Sequence, residues 1–245
     1  METSEPKSKI QVIGVMSSAK LNGNTAILVR EALRGAEEDG AEISELLLPK
    51  YQINFCQGCL GCMVKGRCWM DDDFEQVKAL IQAANGIILS SPTYGGAPCA
   101  RMKNLLDRFG LFERFTSTTF GGKYIVGIST ASSAGDARKV ARGLASLMTS
   151  LVYERGYSTG FLGVCSSPNG VEHDIAALRK ARALGRKLVR DIRSGRRYPF
   201  QNPVSQLMNR LILKPSYTKA ILDYREGPVK AVYENLRQRG ILVQP

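Results

Sequence analysis

Four of the six cysteines in this chain fall between Cys56 and Cys68, at the spacing C-x2-C-x2-C-x5-C. Three thiolates two residues apart with a fourth just beyond can wrap one compact centre, and the nearest template is the ferredoxin run C-x2-C-x2-C-x3-C-P. Here the last gap is longer and no proline follows Cys68. The pattern points first to an iron-sulfur cluster, 4Fe-4S, on Cys56, Cys59, Cys62 and Cys68. Zinc is the next candidate, although zinc motifs usually draw their ligands from two separated C-x2-C arms and this run has no second arm. A loop of reduced cysteines that merely packs in the fold is the third reading.

A second candidate lies near the start. The apolar run Ile10 to Val15 reads as a buried strand and leads into Ser17-Ser18-Ala19-Lys20-Leu21-Asn22-Gly23-Asn24-Thr25, after which Ile27, Leu28, Ala32 and Leu33 keep helical spacing. A strand, a loop of small hydroxyl and amide residues and a helix start make an anion site, because free backbone N–H groups and the helix dipole favour a phosphate. The loop is neither G-x-G-x-x-G nor a Walker loop, and a plain connection also fits its composition.

The elements that must position these loops follow in order. Ala41 to Leu48 reads as a second strand, and Asp71, Asp72 and Asp73 offer an N-cap for a helix from Phe74 to Ala84. Gly86 to Ser90 is a third strand ending in Pro92-Thr93-Tyr94-Gly95-Gly96-Ala97-Pro98. A Gly- and Pro-rich loop outside a strand's carboxyl end is where open α/β sheets bind ligands. A helix from Ala100 to Phe115 follows, and then a fourth strand, Tyr124 to Ile128. That strand opens onto Ser129-Thr130-Ala131-Ser132-Ser133-Ala134-Gly135, a third polar loop at the same end of the sheet. A helix from Ala137 to Arg155, a fifth strand from Phe161 to Cys165 and a helix from Glu172 to Arg193 complete the alternation. Five strands alternating with five helices predict a doubly wound, five-stranded parallel sheet covered on both faces. Residues 1–195 are expected to form this domain, with the cysteine loop 56–68 inserted in it, and residues 196–245 a helical extension. The extension keeps apolar spacing through Val204, Leu207, Leu211 and Ile212, then Val229, Val232, Tyr233 and Leu236. Two short helices with turns at Pro215 and Gly227-Pro228 are expected, packed on the domain or on another subunit.

With these residues in place, the stretch Ile10 to Arg108 resembles the flavodoxin-like NAD(P)H-dependent FMN reductase superfamily, and the cysteine spacing resembles that of its iron-sulfur flavoprotein branch. The family's G-S-P-R-x-x-G-N-T appears as Ser17 to Thr25, with Ser17 and Ala19 where glycine and proline are usual and Lys20 for arginine. Its S-P-x-Y appears as Ser91 to Tyr94, its K-x-x-x-D-R as Lys103, Asp107 and Arg108, and its D-D as Asp72-Asp73. The resemblance implies that Ser18, Lys20, Asn24 and Thr25 hold an FMN phosphate within the loop that also carries Ser17 and Asn22. It implies that Pro92, Thr93, Tyr94, Gly95 and Gly96 line the isoalloxazine ring. Thr130, Ala131, Ser132 and Gly135 belong to the third loop of the same cofactor site. A homodimer or homotetramer is implied as well.

Flavin can exchange electrons in pairs, whereas a cluster passes them singly, so the two together would join a two-electron reaction to a one-electron partner. The reading is an oxidoreductase passing electrons from ferredoxin or NAD(P)H to a small acceptor such as a quinone, an oxygen species or an unsaturated organic compound. The alternatives are an electron carrier without small-molecule turnover and a metal-stabilised binding module.

Composition narrows the remaining classes. His173 is the sole histidine, which argues against histidine-centred hydrolysis and metal hydrolases. Cys99 follows the ring loop and could touch flavin, although it reads better as a small buried thiol, and Cys165 at a strand end reads as core. The start, Met1 to Lys9, lacks the apolar core of a secretory signal, and no apolar run approaches the roughly 20 residues of a spanning helix. A cytoplasmic protein with reduced cysteines is expected. Residues 1–110 carry 12 basic and 13 acidic side chains against 22 and 9 in residues 111–245, and nine basic residues with one acid lie between Arg179 and Arg197. Such a face could dock an acidic protein such as ferredoxin, or be a solvated helix face; nucleic acid is the less favoured partner.

Overall fold

The computed structural model describes residues 9–166 and 170–242. The expectation placed on the polar start therefore lies outside the described residues, apart from Lys9 and Ile10. Strands β1 (Gln11–Met16), β2 (Glu42–Leu47), β3 (Gly86–Tyr94), β5 (Tyr124–Ala131) and β6 (Tyr157–Cys165) form a parallel sheet in the order β2-β1-β3-β5-β6. The two-residue β4 (Ala97–Pro98) folds back antiparallel on the end of β3. Leaving β4 aside, this is the 2-1-3-4-5 order in which the direction of strand addition reverses between the first and third strands. The doubly wound parallel sheet expected from the sequence is present.

Each central strand is a near-continuous apolar run because helices cover both its faces. On one face α1 (Asn24–Glu38) and α6 (Ile175–Ser194) bury Leu28, Val29, Leu33, Leu188 and Val189 against Val12, Ile88 and Val126. These two helices cross at contact distance through glycine. A Cβ on Gly185 would lie 1.8 Å from the carbonyl oxygen of Ala32, and one on Gly35 would lie 2.0 Å from that of Arg182. The other face carries α3 (Phe74–Ala83), α4 (Ala100–Thr116) and α5 (Ala134–Ser146), whose Val77, Ile81, Met102, Leu105 and Leu144 pack on Ile13, Val15, Ile87 and Leu89.

Four local expectations need correction. The helix read as Ala137 to Arg155 starts at Ala134 and ends at Ser146, followed by a 3-10 turn over Leu147–Ser150. The buried stripe Ala137, Val140, Ala141, Leu144 and Ala145 continues at helical spacing through Met148, Leu151 and Val152, so the sequence pattern runs on past the point where the α-helix ends. The fifth long strand begins at Tyr157 rather than Phe161. α4 breaks at Gly110, whose φ of 48° and ψ of −146° are open only to glycine. In the extension, α7 (Pro203–Met208) and α8 (Lys214–Asp223) run on through a π turn, Asn209–Leu213, so Pro215 sits in a helix rather than at a turn. Proline has no N–H and its ring crowds the carbonyl four residues back, and a widened turn absorbs both. The expected turn at Gly227-Pro228 is present, closed by Gly227 N–H to Tyr224 O, and α9 (Lys230–Gln238) follows.

The extension packs back on the sheet domain. Ile221, Ala231, Val232 and Leu236 form a third core with Phe112 of α4 and Met63 of α2 (Gly61–Lys65), the short helix inside the cysteine loop. Among the described residues no helix is long and apolar enough to cross a membrane.

Candidate functional site

The loops after β1, β3 and β5 meet at the carboxyl end of the sheet, beside the reversal between β1 and β3. The apolar strands end there in consecutive buried hydroxyl residues: Ser17, Ser90, Ser91, Ser129 and Thr130. Their side chains bind the loops to one another. Ser17 Oγ donates to Ser90 O (2.9 Å), Ser90 Oγ to Val15 O (2.8 Å) and Ser129 Oγ to Ser91 O (2.6 Å). Thr93 and Ser129 pair their hydroxyls at 2.7 Å, as do Thr25 and Thr130.

The structure separates the first-loop residues into two groups. Ser17 and Thr25 are buried and tie the loop to β3 and β5. Asn24 Oδ1 accepts from Val171 N–H (3.2 Å) and Asn22 Oδ1 from Arg30 (3.0 Å), so both amides are engaged within the chain. Ser18 Oγ accepts from Lys20 N–H (3.1 Å) and shapes the exposed tip, where Lys20 stands. Gly23 precedes α1 and no side chain caps this helix. Its first N–H groups and positive dipole end thus face the loop uncovered by a cap, which fits an anionic phosphate.

Pro92 to Gly96 form the β3–β4 hairpin, with Thr93 opposite Pro98 and Tyr94 opposite Ala97. Gly95 and Gly96 both take positive φ, 57° and 72°, as a two-residue hairpin of the favoured hand requires. Tyr94 is exposed. Ala131 is buried at the end of β5, whereas Ser132 and Gly135 lie exposed beyond it, Ser132 O accepting from the thiol of Cys165 at 3.1 Å; Cys165, expected in the core, is itself exposed, while Cys99 is buried. A cleft opens between the first loop, the hairpin and the chain leading to the cysteines; Ala19, Pro92, Tyr94, Ile53, Phe55 and Arg101 line it. Two residues here were not singled out by their sequence context. Arg101 donates to Ser17 O (3.2 Å), and Asn104 donates from Nδ2 to Ile53 O (2.8 Å). Their one sequence signal is a polar face recurring every three to four residues on α4, which reads equally as solvated surface.

The cysteine loop lies along the same helix. Cys56, Cys59, Cys62 and Cys68 all line one cavity, with Arg108 and Phe109 of α4 in its wall. Leu60 takes a left-handed conformation (φ 58°) to start α2, and Gly66 ends it in the same region (φ 74°). The loop is tied down at both ends. Cys68 N–H donates to Glu75 (3.0 Å), Asn54 N–H to Asp72 Oδ2 (2.9 Å) and Gln52 N–H to Asp73 Oδ2 (2.7 Å). The acidic triplet thus does more than start α3. Asp73 stands at the N-cap position without capping, and Asp72 takes the Phe74 N–H instead (3.0 Å).

The four thiols differ. Hydrogen bonds from the backbone at Gly61 and from Trp69 Nε1 (3.1 Å) hold the exposed Cys59 thiol below its ordinary pKa. Burial pushes the Cys62 thiol up, and the neighbouring Cys68, Cys59 and Cys56 charges add to the rise. All four are free, and no three His, Cys, Asp or Glu side chains among the described residues converge as a metal ligand set. One feature of the wall fits a metal–sulfur centre: Arg108 Nε is buried with no hydrogen-bond partner, in a cavity whose sulfurs are acceptors.

The basic face of α6 is partly paired within the chain. Arg186 bonds Glu38 (2.9 Å), Arg190 bonds Asp39 (2.8 Å), Arg182 reaches Glu31 (3.3 Å) and Lys187 bonds Asp191 (2.9 Å). Four of the nine basic residues expected to dock an acidic partner are thus paired within the chain, three of them with α1 or its C-cap Asp39.

The profile of a family described as NADPH-dependent FMN reductase matches residues 10–157. An iron-sulfur flavoprotein of Methanocaldococcus jannaschii is 32% identical over 187 residues, covering 73% of this chain and 95% of the relative. An iron-sulfur flavoprotein of Archaeoglobus fulgidus is 28% identical over 234 residues, covering 95% and 100%. Among solved structures, a flavone reductase superposes with a TM-score of 0.58 at 18% identity over 75% of this chain and 63% of its own. An NADH:FMN oxidoreductase in its apo form superposes with 0.53 at 18% identity over 80% and 98%. These last two show the shared fold.

Proposed function

This chain belongs to the NADPH-dependent FMN reductase family, and from that premise we propose that it is an oxidoreductase with two redox groups, FMN at the carboxyl end of the sheet and a 4Fe-4S cluster in the cysteine loop. FMN-dependent reduction follows from the family. The observation that carries the second group is the cavity lined by all four cysteines, with the unpaired Arg108 Nε–H buried in its wall. The relatives' name, iron-sulfur flavoprotein, supports the same reading.

The residues divide the work. The uncapped start of α1 and Lys20 provide N–H groups and charge for a phosphate, while Thr25 and Thr130 fix the loop that carries them. The hairpin Pro92 to Gly96 provides a rigid, exposed edge for a planar ring, held to β5 through Thr93 and Ser129. Cys56, Cys59, Cys62 and Cys68 supply the thiolates. When bound, FMN supplies two-electron or one-electron exchange and a cluster one-electron exchange. The open side of the cleft at Tyr94 and Phe55 gives a small acceptor, a quinone, an oxygen species or an unsaturated organic compound, a route to the ring edge. The donor is ferredoxin or NAD(P)H, and the assembly a homodimer or homotetramer. The pairing of α6 with α1 weakens the case for a carrier docked on that helix.

Visible spectroscopy of protein purified without oxygen, with iron, acid-labile sulfide and FMN measured per chain, tests the reading. Flavin bands over a broad iron-sulfur shoulder are expected. Flavin without iron or sulfide would remove the cluster, and neither group would remove the reading as a whole.

A further inference from the structure

Arg108 is a buried cation held by three hydrogen bonds and a ring, with two of its five N–H hydrogens left over. Its Nη1 donates to Asp72 Oδ2 (2.6 Å) and Asn54 O (2.8 Å), and its Nη2 to Asp72 Oδ1 (3.0 Å). The guanidinium lies over the Phe74 ring, 4.5 Å from its centroid, and the side chains of the ion pair are 1% and 2% exposed. Such a fork cannot swing away. Of the two hydrogens left, on Nη2 and on Nε, the one on Nε belongs to a nitrogen with no partner at all, buried in a residue of the wall of the cavity that the four cysteines line. Cys68 lines the same cavity as Arg108, and Nε is the guanidinium nitrogen that neither Asp72 nor Asn54 occupies.

We propose that Arg108 is the positioning residue of the cysteine site, presenting its Nε–H and its fixed charge to the sulfurs of that cavity so that a cluster bound there is easier to reduce. This rests on the cluster reading above. An added electron places more negative charge on the sulfurs, so a donor and a cation aimed at one of them stabilise the reduced form more than the oxidised form. Asp72, bound to the opposite edge of the same guanidinium, offsets part of that charge. Removing either partner therefore moves the equilibrium in opposite directions. Arg108→Gln takes away the N–H and the cation and leaves Asp72 uncompensated, which disfavours reduction. Asp72→Asn leaves the cation uncompensated, which favours it. A purely structural role for the pair predicts no such opposition, because loosening the loop would act alike in both variants.

The experiment uses the full chain, purified without oxygen, as wild type, Arg108→Gln, Arg108→Lys and Asp72→Asn. Iron, sulfide and FMN are measured first, and the cluster's reduction equilibrium is then titrated by EPR against dithionite-poised mediators. Arg108→Gln is expected to shift the equilibrium about tenfold toward the oxidised form, about 59 mV for a one-electron couple. Arg108→Lys keeps the charge but not the Nε–H and should shift it severalfold the same way; Asp72→Asn should shift it severalfold the opposite way. Wild type without iron or sulfide would overturn the cluster reading and this proposal with it. Loaded wild type with variants that all titrate together, or all shift in one direction, overturns the proposal alone. If Arg108→Gln loses its cluster, Arg108→Lys and Asp72→Asn decide: an unmoved potential in both makes Arg108 scaffold only.

Discussion

Gly95→Ala isolates the conformational demand of the hairpin from every other property of the site. Gly95 sits at φ 57°, and a Cβ there would meet nothing within 4 Å, so alanine adds no clash. Gly96 is less clean, because a Cβ there approaches Asp136 Oδ1 at 3.7 Å. What alanine adds at position 95 is the left-handed penalty of a residue with a Cβ, about 1–2 kcal/mol. The loop lies outside the sheet core, so the free variant can relax to another turn without disturbing packing. FMN binding would then have to restore the original turn and would lose up to that strain, which is about fivefold to thirtyfold in Kd. Asparagine tolerates the left-handed region, so Gly95→Asn should recover most of the affinity. Quenching of FMN fluorescence on titration of flavin-free protein measures all three affinities. Equal Kd values for wild type and Gly95→Ala would show that FMN does not require this turn, and the assignment of Pro92 to Gly96 to the ring would be abandoned.

Other perturbations read the remaining parts. Cys59→Ser is expected to cost iron and sulfide while FMN per chain stays, since the loops assigned to flavin are separate from it; unchanged iron would take Cys59 out of the ligand set. Thr25→Val leaves Thr130 Oγ1 unpaired in a buried site, which should cost about 1–3 kcal/mol in urea unfolding and weaken FMN; a stability loss without weaker FMN would separate the loop from phosphate binding. Asp72→Asn strands a buried arginine and should cost about 3–5 kcal/mol near neutral pH. Although burial works to raise it, hydrogen bonds from Arg108, Asn54 and Phe74 hold the Asp72 carboxyl below its ordinary pKa. Its contribution is therefore complete above the unfolded value of about 4 and is lost as pH falls through the lower folded value. The stability gap between wild type and Asp72→Asn should narrow only below about pH 4; a gap that starts to close near neutral pH would refute a depressed carboxylate.

The sheet was legible because its signal is redundant. Four of the five long strands are short apolar runs bounded by polar loops, and the parallel order follows from their alternation with helices. Shorter-range features were not legible, each for its own reason. β4 has two residues, too few for any period. The break in α4 falls between Phe109 and Phe112, where apolar spacing continues and hides the glycine that ends it. Glu31 and Glu38 of α1 and Asp39 at its end, which pair with Arg182, Arg186 and Arg190 of α6, are far off in sequence, so a patch that looks free in one dimension is partly paired in three. Among the candidate residues, the polar tip Ser18 to Asn22 was found as a loop, but not that Asn22 and Asn24 turn back to Arg30 and Val171. Arg101 and Asn104 escaped notice because a polar helical face looks the same whether it meets water or another loop.

That polar face of α4 explains how one helix can serve both candidate sites. Arg101, Asn104 and Arg108 fall at i, i+3 and i+7, and so share one side. They take Ser17 O from the first loop, Ile53 O from the chain leading to the cysteines, and Asn54 O with Asp72 at the far end of the cysteine loop. Seven residues of helix span about 10 Å, so the first loop and the cysteine loop are fixed at that separation by a single rigid rod. Gly110 breaks the rod just past Arg108, and beyond the break Phe112 turns into the third core with Met63 of α2 and with α8 and α9. The extension consequently buttresses the cysteine loop from outside while α4 holds it from within. A cysteine loop with few buried side chains of its own is in this way held by packing and hydrogen bonds supplied from two other parts of the chain.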